Sequence, residues 1–400
     1  MDLLIAKTIG LLVVAIIVAI AARRLRLPYT VGLVVAGMSL AFSHIDLGIA
    51  LTHDIIFDVI LPPLLFEAAL NLRWNKLRRD AAPILLLSVA GVLISAAITF
   101  LGMRQLLGWP AAPALIFAVL IAATDPVAVI ALFKDLGFEG RTRLLVESES
   151  LFNDGVAAVL FALALTWISG GPPGAGWPWY LLLTMSGGGL LTGALVGLIA
   201  LLVAGRTGDH LVETAVTVAA AYGSFLLAEN FHFSGVLATV TAGLVVGAVG
   251  VRATGRRLGL SHQGRLFAIA FWEFLAFMAN SAVFLLIGVS ASRIHFSILG
   301  YTSLCVTILL VLLGRAAAVY PLSLVFQYSR WKIAMAEQHV LFWAGLRGAL
   351  GLALALSLPD SLPMRDAIVI TTFGVVTFSV IVQGLSMPLL LQRLTLRPPQ

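Results

Sequence analysis

Long apolar runs follow one another along the whole chain, each closed by a short charged or turn-rich stretch. A helix needs about 20 consecutive, mostly apolar residues to cross the hydrocarbon of a bilayer. The pattern predicts thirteen such helices, near residues 3–22, 29–44, 51–71, 81–103, 112–134, 143–168, 178–204, 210–230, 234–250, 266–291, 296–325, 336–358 and 364–391. The second and ninth are short. The basic residues between the runs test this count. Nineteen Lys and Arg fall in connections after odd-numbered helices, among them the cluster Arg73, Lys76, Arg78 and Arg79. Three, Arg104, Arg293 and Arg365, follow even-numbered ones. A missed or surplus helix would scramble that alternation. It puts the N-terminus outside and the C-terminus in the cytoplasm of a multi-pass protein of the cell membrane.

Composition narrows the class. Of 400 residues, 60% are hydrophobic and 11% charged, and the mean hydropathy is +1.04. That excludes a soluble globular domain. The expected fold is an all-α polytopic membrane protein. Residues 1–392 form a single transmembrane domain, and 393–400 a short cytoplasmic tail. The first apolar run lacks a small-residue cleavage site and reads as a helix rather than a signal peptide. The net charge of +6 fits loop anchors at the membrane surface, and no nucleic-acid partner is expected. Cys305 lies inside an apolar run and is expected to be an inert core thiol. The seven histidines make no zinc-site spacing. No phosphate-binding loop, dinucleotide fingerprint or nucleophile elbow is present. Neither an enzyme nor a cofactor is therefore expected.

Polar groups at membrane depth carry the chemistry, because each costs several kcal/mol there and rarely persists without a task. In helix 5, Thr124-Asp125-Pro126 interrupts IFAVLIAATDPVAVIALF. Pro126 has no N–H, so the carbonyl of Ala122 loses its helical partner. A simple proline kink would explain the proline but not the adjacent acid, whereas discontinuous helices near the midplane are a known device for ion sites. Helix 6 opens with Glu147-Ser148-Glu149-Ser150-Leu151-Phe152-Asn153-Asp154-Gly155. Ser150 and Asp154 share one face at i,i+4, and Glu149 and Asn153 share the next. One stripe can hold a ligand acid with a hydroxyl, the other a structural acid with an amide. Glu147 suits a solvated helix start. Glu67, in helix 3, either ligates or relays a cation or pairs with the basic cluster at 73–79. Arg315, in helix 11, cannot lose its proton, so it needs an anion, and Glu149 is the first candidate; snorkelling to the interface is the alternative. In helix 12, Gly345, Gly348 and Gly351 loosen the chain around Arg347, which offsets half-helix ends or nearby acids. Interrupted helices 5 and 12 in corresponding halves point to an inverted-repeat transporter. Glu273 and Asn280 of helix 10 share a face as packing or gating groups. The midplane residues are small and oxygen-rich, which disfavours an organic solute. Binding of a small cation and a proton in turn at one acid is expected, and an ion channel is the competing reading.

These residues resemble the monovalent cation/proton antiporters, in the branch of prokaryotic sodium/proton antiporters and animal sodium–proton exchangers. FEAALNL at 66–72, ATDPVAV at 123–129, ESESLFNDG at 147–155, FWEFLAFMANSAVFLLIG at 271–288 and GLRGALGLALAL at 345–356 carry the likeness in family order. The resemblance implies a homodimer, with core helices including 51–168 and 296–358 built around two crossed, broken helices. It implies that Asp154 exchanges H+ for Na+, or for Li+ or K+. Ser150, Thr124 and Asp125 would help to hold the ion, with Glu67 in some members. Glu149 and Arg315 would form a structural bridge. Asn153 before Asp154 goes with electroneutral one-for-one exchange in the family. A large cytoplasmic regulatory region is expected to be missing.

Overall fold

The computed structural model describes residues 2–25, 28–42, 52–135, 137–170, 177–251, 259–294, 296 and 300–394. No strand occurs among them. Each predicted crossing is helical over its described part. The first two are α1 (Asp2–Leu25) and α2 (Tyr29–Phe42), and the third is a π-helical turn, Ile55–Ile60, running into α3 (Leu61–Asn71). A short α4 (Trp74–Arg79) leads to α5 (Ala81–Leu106). The fifth crossing is split into α6 (Ala111–Leu120) and α7 (Val127–Asp135). Then come α8 (Arg141–Ile168), α9 (Trp177–Ala204), α10 (His210–Asn230), α11 (Gly235–Val245) with a π-helical end, α12 (His262–Arg293) and α13 (Tyr301–Leu324). The twelfth crossing is split into α14 (Met335–Trp343) and α15 (Ala349–Leu356). The last is α16 (Arg365–Phe378), a π-helical stretch Ser379–Gln383, and α17 (Gly384–Arg393). Seven of these helices are individually long and apolar enough to span a membrane. Of the remaining crossings, the third, fifth and twelfth are broken or π-distorted, and α2 and α11 are short.

The chain forms two compact units. One comprises residues 1–56, 82–153 and 280–400, the other 57–81 and 154–279. The chain passes between them within α8, at Asn153 and Asp154, and within α12, at Ala279 and Asn280. In the second unit α9 lies on α11 along Gly189, Gly193 and Gly197. A Cβ on Gly189 would stand 2.6 Å from the Ser234 carbonyl, and one on Gly193 would strike the Ala238 carbonyl. Lipid tails give helices no hydrophobic reason to associate, so such small-residue stripes are what allow close backbone packing. Trp272 is fully buried there; its ring lies 4.6 Å from that of Phe66, and its Nε1 donates to Thr217 Oγ1 at 2.9 Å.

The first unit uses the same device. Gly37 of α2 and Gly288 of α12 face each other, and a Cβ on either would collide with the other helix's backbone. Gly314 of α13 sits against Ser95 of α5 in the same way. Outward side chains are apolar, as a lipid-facing surface requires: Leu183, Leu191 and Ile199 on α9, Leu309 and Leu313 on α13. Cys305 is exposed, not the buried core thiol expected. It shares the outward face of α13 with Leu309 and Leu313 by i,i+4 spacing.

Gly193→Ala is expected to destabilise α9–α11 packing by about 1–3 kcal/mol through overpacking. Gly187→Ala, where a Cβ meets nothing within 4 Å, serves as the control. Melting temperatures in detergent check this: a fall for Gly193→Ala alone is expected, and equal values for the two variants would contradict it.

Candidate functional site

The two split crossings meet in the first unit. In the fifth, helical bonding ends with Ala122 N–H on the Val119 carbonyl at 3.1 Å and resumes with Ile130 N–H on the Pro126 carbonyl at 2.8 Å. Between them the chain is extended, and Pro126 supplies no donor to close the gap. In the twelfth, Gly345 to Gly348 is non-helical. The two non-helical stretches are joined by a backbone bond from Asp125 N–H to the Leu346 carbonyl, 2.7 Å.

Each break leaves one helix end with unpaired carbonyls and one with unpaired N–H groups, which attract a cation and an anion respectively. Arg347 Nη1 donates to the carbonyls of Ala122 and Ala123, at 2.7 and 3.0 Å. A buried guanidinium thus closes the C-terminal end of α6; Arg347 is only 3% exposed. The Asp125 carboxylate accepts the Val127 N–H at 2.9 Å and so caps α7. It also lies at the start of α15, where a Cβ on Gly348 would collide with it. Glycine at 348 is therefore required by close approach. The backbone of Arg347 is held by Ser379, whose Oγ accepts the Arg347 N–H at 3.0 Å and donates to the Arg347 carbonyl at 3.2 Å. Ser379 opens the π-helical stretch of the last crossing, and such bulges recur at functional sites.

Helix α8 runs unbroken past the crossing. Ser150 Oγ donates to the Thr124 carbonyl in a short hydrogen bond. Asn153 accepts the Thr124 N–H at 3.2 Å and donates to Thr124 Oγ1 at 2.7 Å and to Glu149 Oε1 at 3.1 Å. A donor on one side and acceptors on the other fix which end of the side chain is the amide nitrogen. Glu149, 2% exposed, receives Arg315 in a bidentate pair, at 2.7 and 2.8 Å. Arg315 also donates to the Leu341 carbonyl of α14 at 2.8 Å. One guanidinium therefore ties α13, α8 and α14 together, with the geometric fit that its fork provides.

Asp154 follows Asn153 directly and is half-buried. It opens the second unit and lies one helical turn from Ser150 on the same α8 face. Next to it, Gly155 admits Leu237 of α11 into the space a Cβ would fill. Glu67 is half-buried on α3, and its Oε1 accepts from Asn71 Nδ2 at 2.6 Å, a partner that the sequence reading did not consider. Glu273 is exposed. Thr124, Asp125, Glu149, Ser150, Asn153, Arg315 and Arg347 thus form one connected network. Ser379, Gln383, whose Nε2 donates to the Trp343 carbonyl at 3.4 Å, and the Leu346 carbonyl were not foreseen in it. The signal for the first two was a serine and a glutamine within the otherwise apolar run of the last crossing.

The family described as sodium/hydrogen exchanger, transmembrane, matches residues 11–393. The chain is 40% identical over 374 residues to the Na(+)/H(+) antiporter ApNhaP of Aphanothece halophytica, a match covering 93% of this chain and 70% of that protein. It is 36% identical over 404 residues to the Na(+)/H(+) antiporter NhaG of Bacillus atrophaeus, covering 96% and 74%. The solved structure of the sodium proton antiporter MjNhaP1 from Methanocaldococcus jannaschii at pH 8 has the same fold, with a TM-score of 0.77, 22% identity and 98% of both chains covered.

Removing one partner of a buried ion pair strands the other charge, at a cost of about 3–5 kcal/mol. Glu149→Gln and Arg315→Gln are each expected to lower the yield and melting temperature of folded protein strongly. The double variant should lose less than the two single losses together. A double-mutant cycle measures this, and strict additivity would show that the pair does not couple the helices.

Proposed function

Because this chain belongs to the sodium/hydrogen exchanger family, we propose that it is a secondary antiporter exchanging Na+ (or Li+ or K+) for H+, with Asp154 as the group the two ions share. The family is one of membrane transporters, so the chain is a multi-pass membrane protein and not an enzyme. The observation that supports the assignment of Asp154 is that the other acids at the crossing already serve structural partners. Asp125 serves the N-terminal ends of the broken helices, Arg347 a C-terminal end, and Glu149 and Arg315 each other. Those two acids and two arginines cancel. Asp154 lies one helical turn beyond Ser150 on the same α8 face and is half-buried, whereas Glu149 is buried.

An ionised carboxylate at membrane depth attracts any small cation. A proton neutralises it by bonding, an alkali cation by proximity, and either one lowers the affinity for the other. That mutual exclusion couples the two fluxes. Oxygen donors suit a hard monovalent ion. The Ser150 hydroxyl, which directs its O–H at the Thr124 carbonyl, keeps lone pairs for a cation. Thr124 and Asp125 supply further oxygens, and Glu67 is a contributing acid. With either ion bound, the site crosses the barrier electrically compensated; empty and ionised, it crosses poorly because an uncompensated charge is costly there. Asn153, uncharged and held by Thr124 and Glu149, leaves one titrating acid, so one H+ is exchanged per cation and the cycle is electroneutral. Alternation between the two sides follows the broken-helix transporter scheme.

The positive-inside distribution supports an external N-terminus and a cytoplasmic C-terminus. The family resemblance supports a homodimer, with residues 1–392 as one transporting domain and 393–400 as a cytoplasmic tail.

The test loads everted vesicles with a pH gradient and clamps the membrane potential. Na+ is expected to dissipate the gradient at the same rate whatever the potential, and Asp154→Asn to abolish that dissipation while still folding. Exchange surviving in Asp154→Asn would refute the assignment, and a rate that follows the potential would refute electroneutrality.

A further inference from the structure

Helix α4 is six residues long, about 9 Å. Two residues separate it from α3 and one from α5, both of them membrane crossings. It is therefore tethered at the level where those helices leave the hydrocarbon. Only Leu77 of the helix turns inward, at 4% exposure, while Trp74 stands 49% exposed. Arg73, Lys76, Arg78 and Arg79 are exposed as well. The neighbouring acid Asp80 is buried, so the outer face bears cations and an aromatic ring with no carboxylate among them. A short amphipathic segment with Trp and several cations, held at the bilayer surface, matches the chemistry of the headgroup layer. Trp rings settle at that depth, and each cation gains from negative phospholipid charge.

The position in the chain gives such contact a consequence. Residues 57–81, which contain α4, belong to one compact unit, and the next residue, Ala82, begins a segment of the other. Helix α3 is fixed in its own unit by close packing on α11, where a Cβ on Gly243 would meet the Phe66 carbonyl at 2.9 Å. A headgroup seated on α4 would therefore hold one of the covalent links between the units.

We propose that the outer face of α4, through Arg73, Lys76 and Arg78 with Trp74, binds the headgroups of anionic phospholipids and that this contact regulates the rate of exchange. None of these residues takes part in the cation site. Bilayer lipid rather than soluble phosphate is the ligand, because the segment is tethered at the membrane and its exposed ring needs an apolar neighbour.

The test titrates the purified full chain in detergent with phosphatidylglycerol, phosphatidylcholine or inorganic phosphate and follows the melting temperature. Phosphatidylglycerol alone is expected to raise it. In Arg73→Gln/Lys76→Gln/Arg78→Gln the half-saturating phosphatidylglycerol concentration should rise on the order of a hundredfold, about fivefold for each cation removed. Lys76→Gln alone should shift it by about fivefold, should the triple variant fold poorly, and Lys76→Arg should not shift it. In reconstituted vesicles the triple variant should match the wild-type rate in phosphatidylcholine and lose the response to added phosphatidylglycerol. An unaltered response in the variants, or an equal effect of phosphatidylcholine or phosphate, overturns the proposal.

Discussion

Backbone groups cannot be left unpaired at membrane depth, and two broken helices leave four sets of them. The way this chain satisfies them is the constraint on which the site depends. Arg347 closes the carbonyl end of α6, and Asp125 closes the N–H end of α7 beside the start of α15. The two non-helical stretches bond to each other through Asp125 and Leu346. Neither charge could stay buried alone, and neither break could stay open alone; each makes the other tolerable.

The same matching explains the division of labour along α8. Glu149 is spent on Arg315, and Asn153 is spent on Thr124 and Glu149. Ser150 and Asp154 lie on the adjoining face. Little more than one turn of structural bonds, from Glu149 to Asn153, thus precedes the one acid assigned to transport. Rigid positioning by polar bonds inside a low-dielectric region makes a site sensitive to a single added charge. A half-buried carboxylate at the edge of such a lattice is where a proton and an alkali cation would compete most directly.

Much of this was legible in the sequence because membrane burial makes polar residues conspicuous. The crossings followed from apolar run length, and the break in helix 5 from Pro126 beside an acid. Arg315 and Glu149 stood out because a buried arginine needs an anion. What was not legible depends on three-dimensional register. Nothing in the run of the last crossing says that a π-helical turn swings Ser379 onto both backbone groups of Arg347. Glu67 meets Asn71 through ordinary i,i+4 spacing, a local partner not weighed beside a cation or the basic cluster at 73–79. Cys305 was expected inside because it is apolar and sits in an apolar run, but in a bilayer that description fits the outer face equally well.

One carboxylate shared by two ions makes a quantitative demand on transport. The most direct measurement is the half-saturating Na+ concentration of exchange in vesicles as the pH on the binding side is lowered. On this account it rises by about tenfold per pH unit once the acid begins to protonate, with the maximal rate unchanged, as mass action at a single site requires. A half-saturating concentration indifferent to pH, with only the maximal rate falling, would mean that the proton and the cation occupy separate groups.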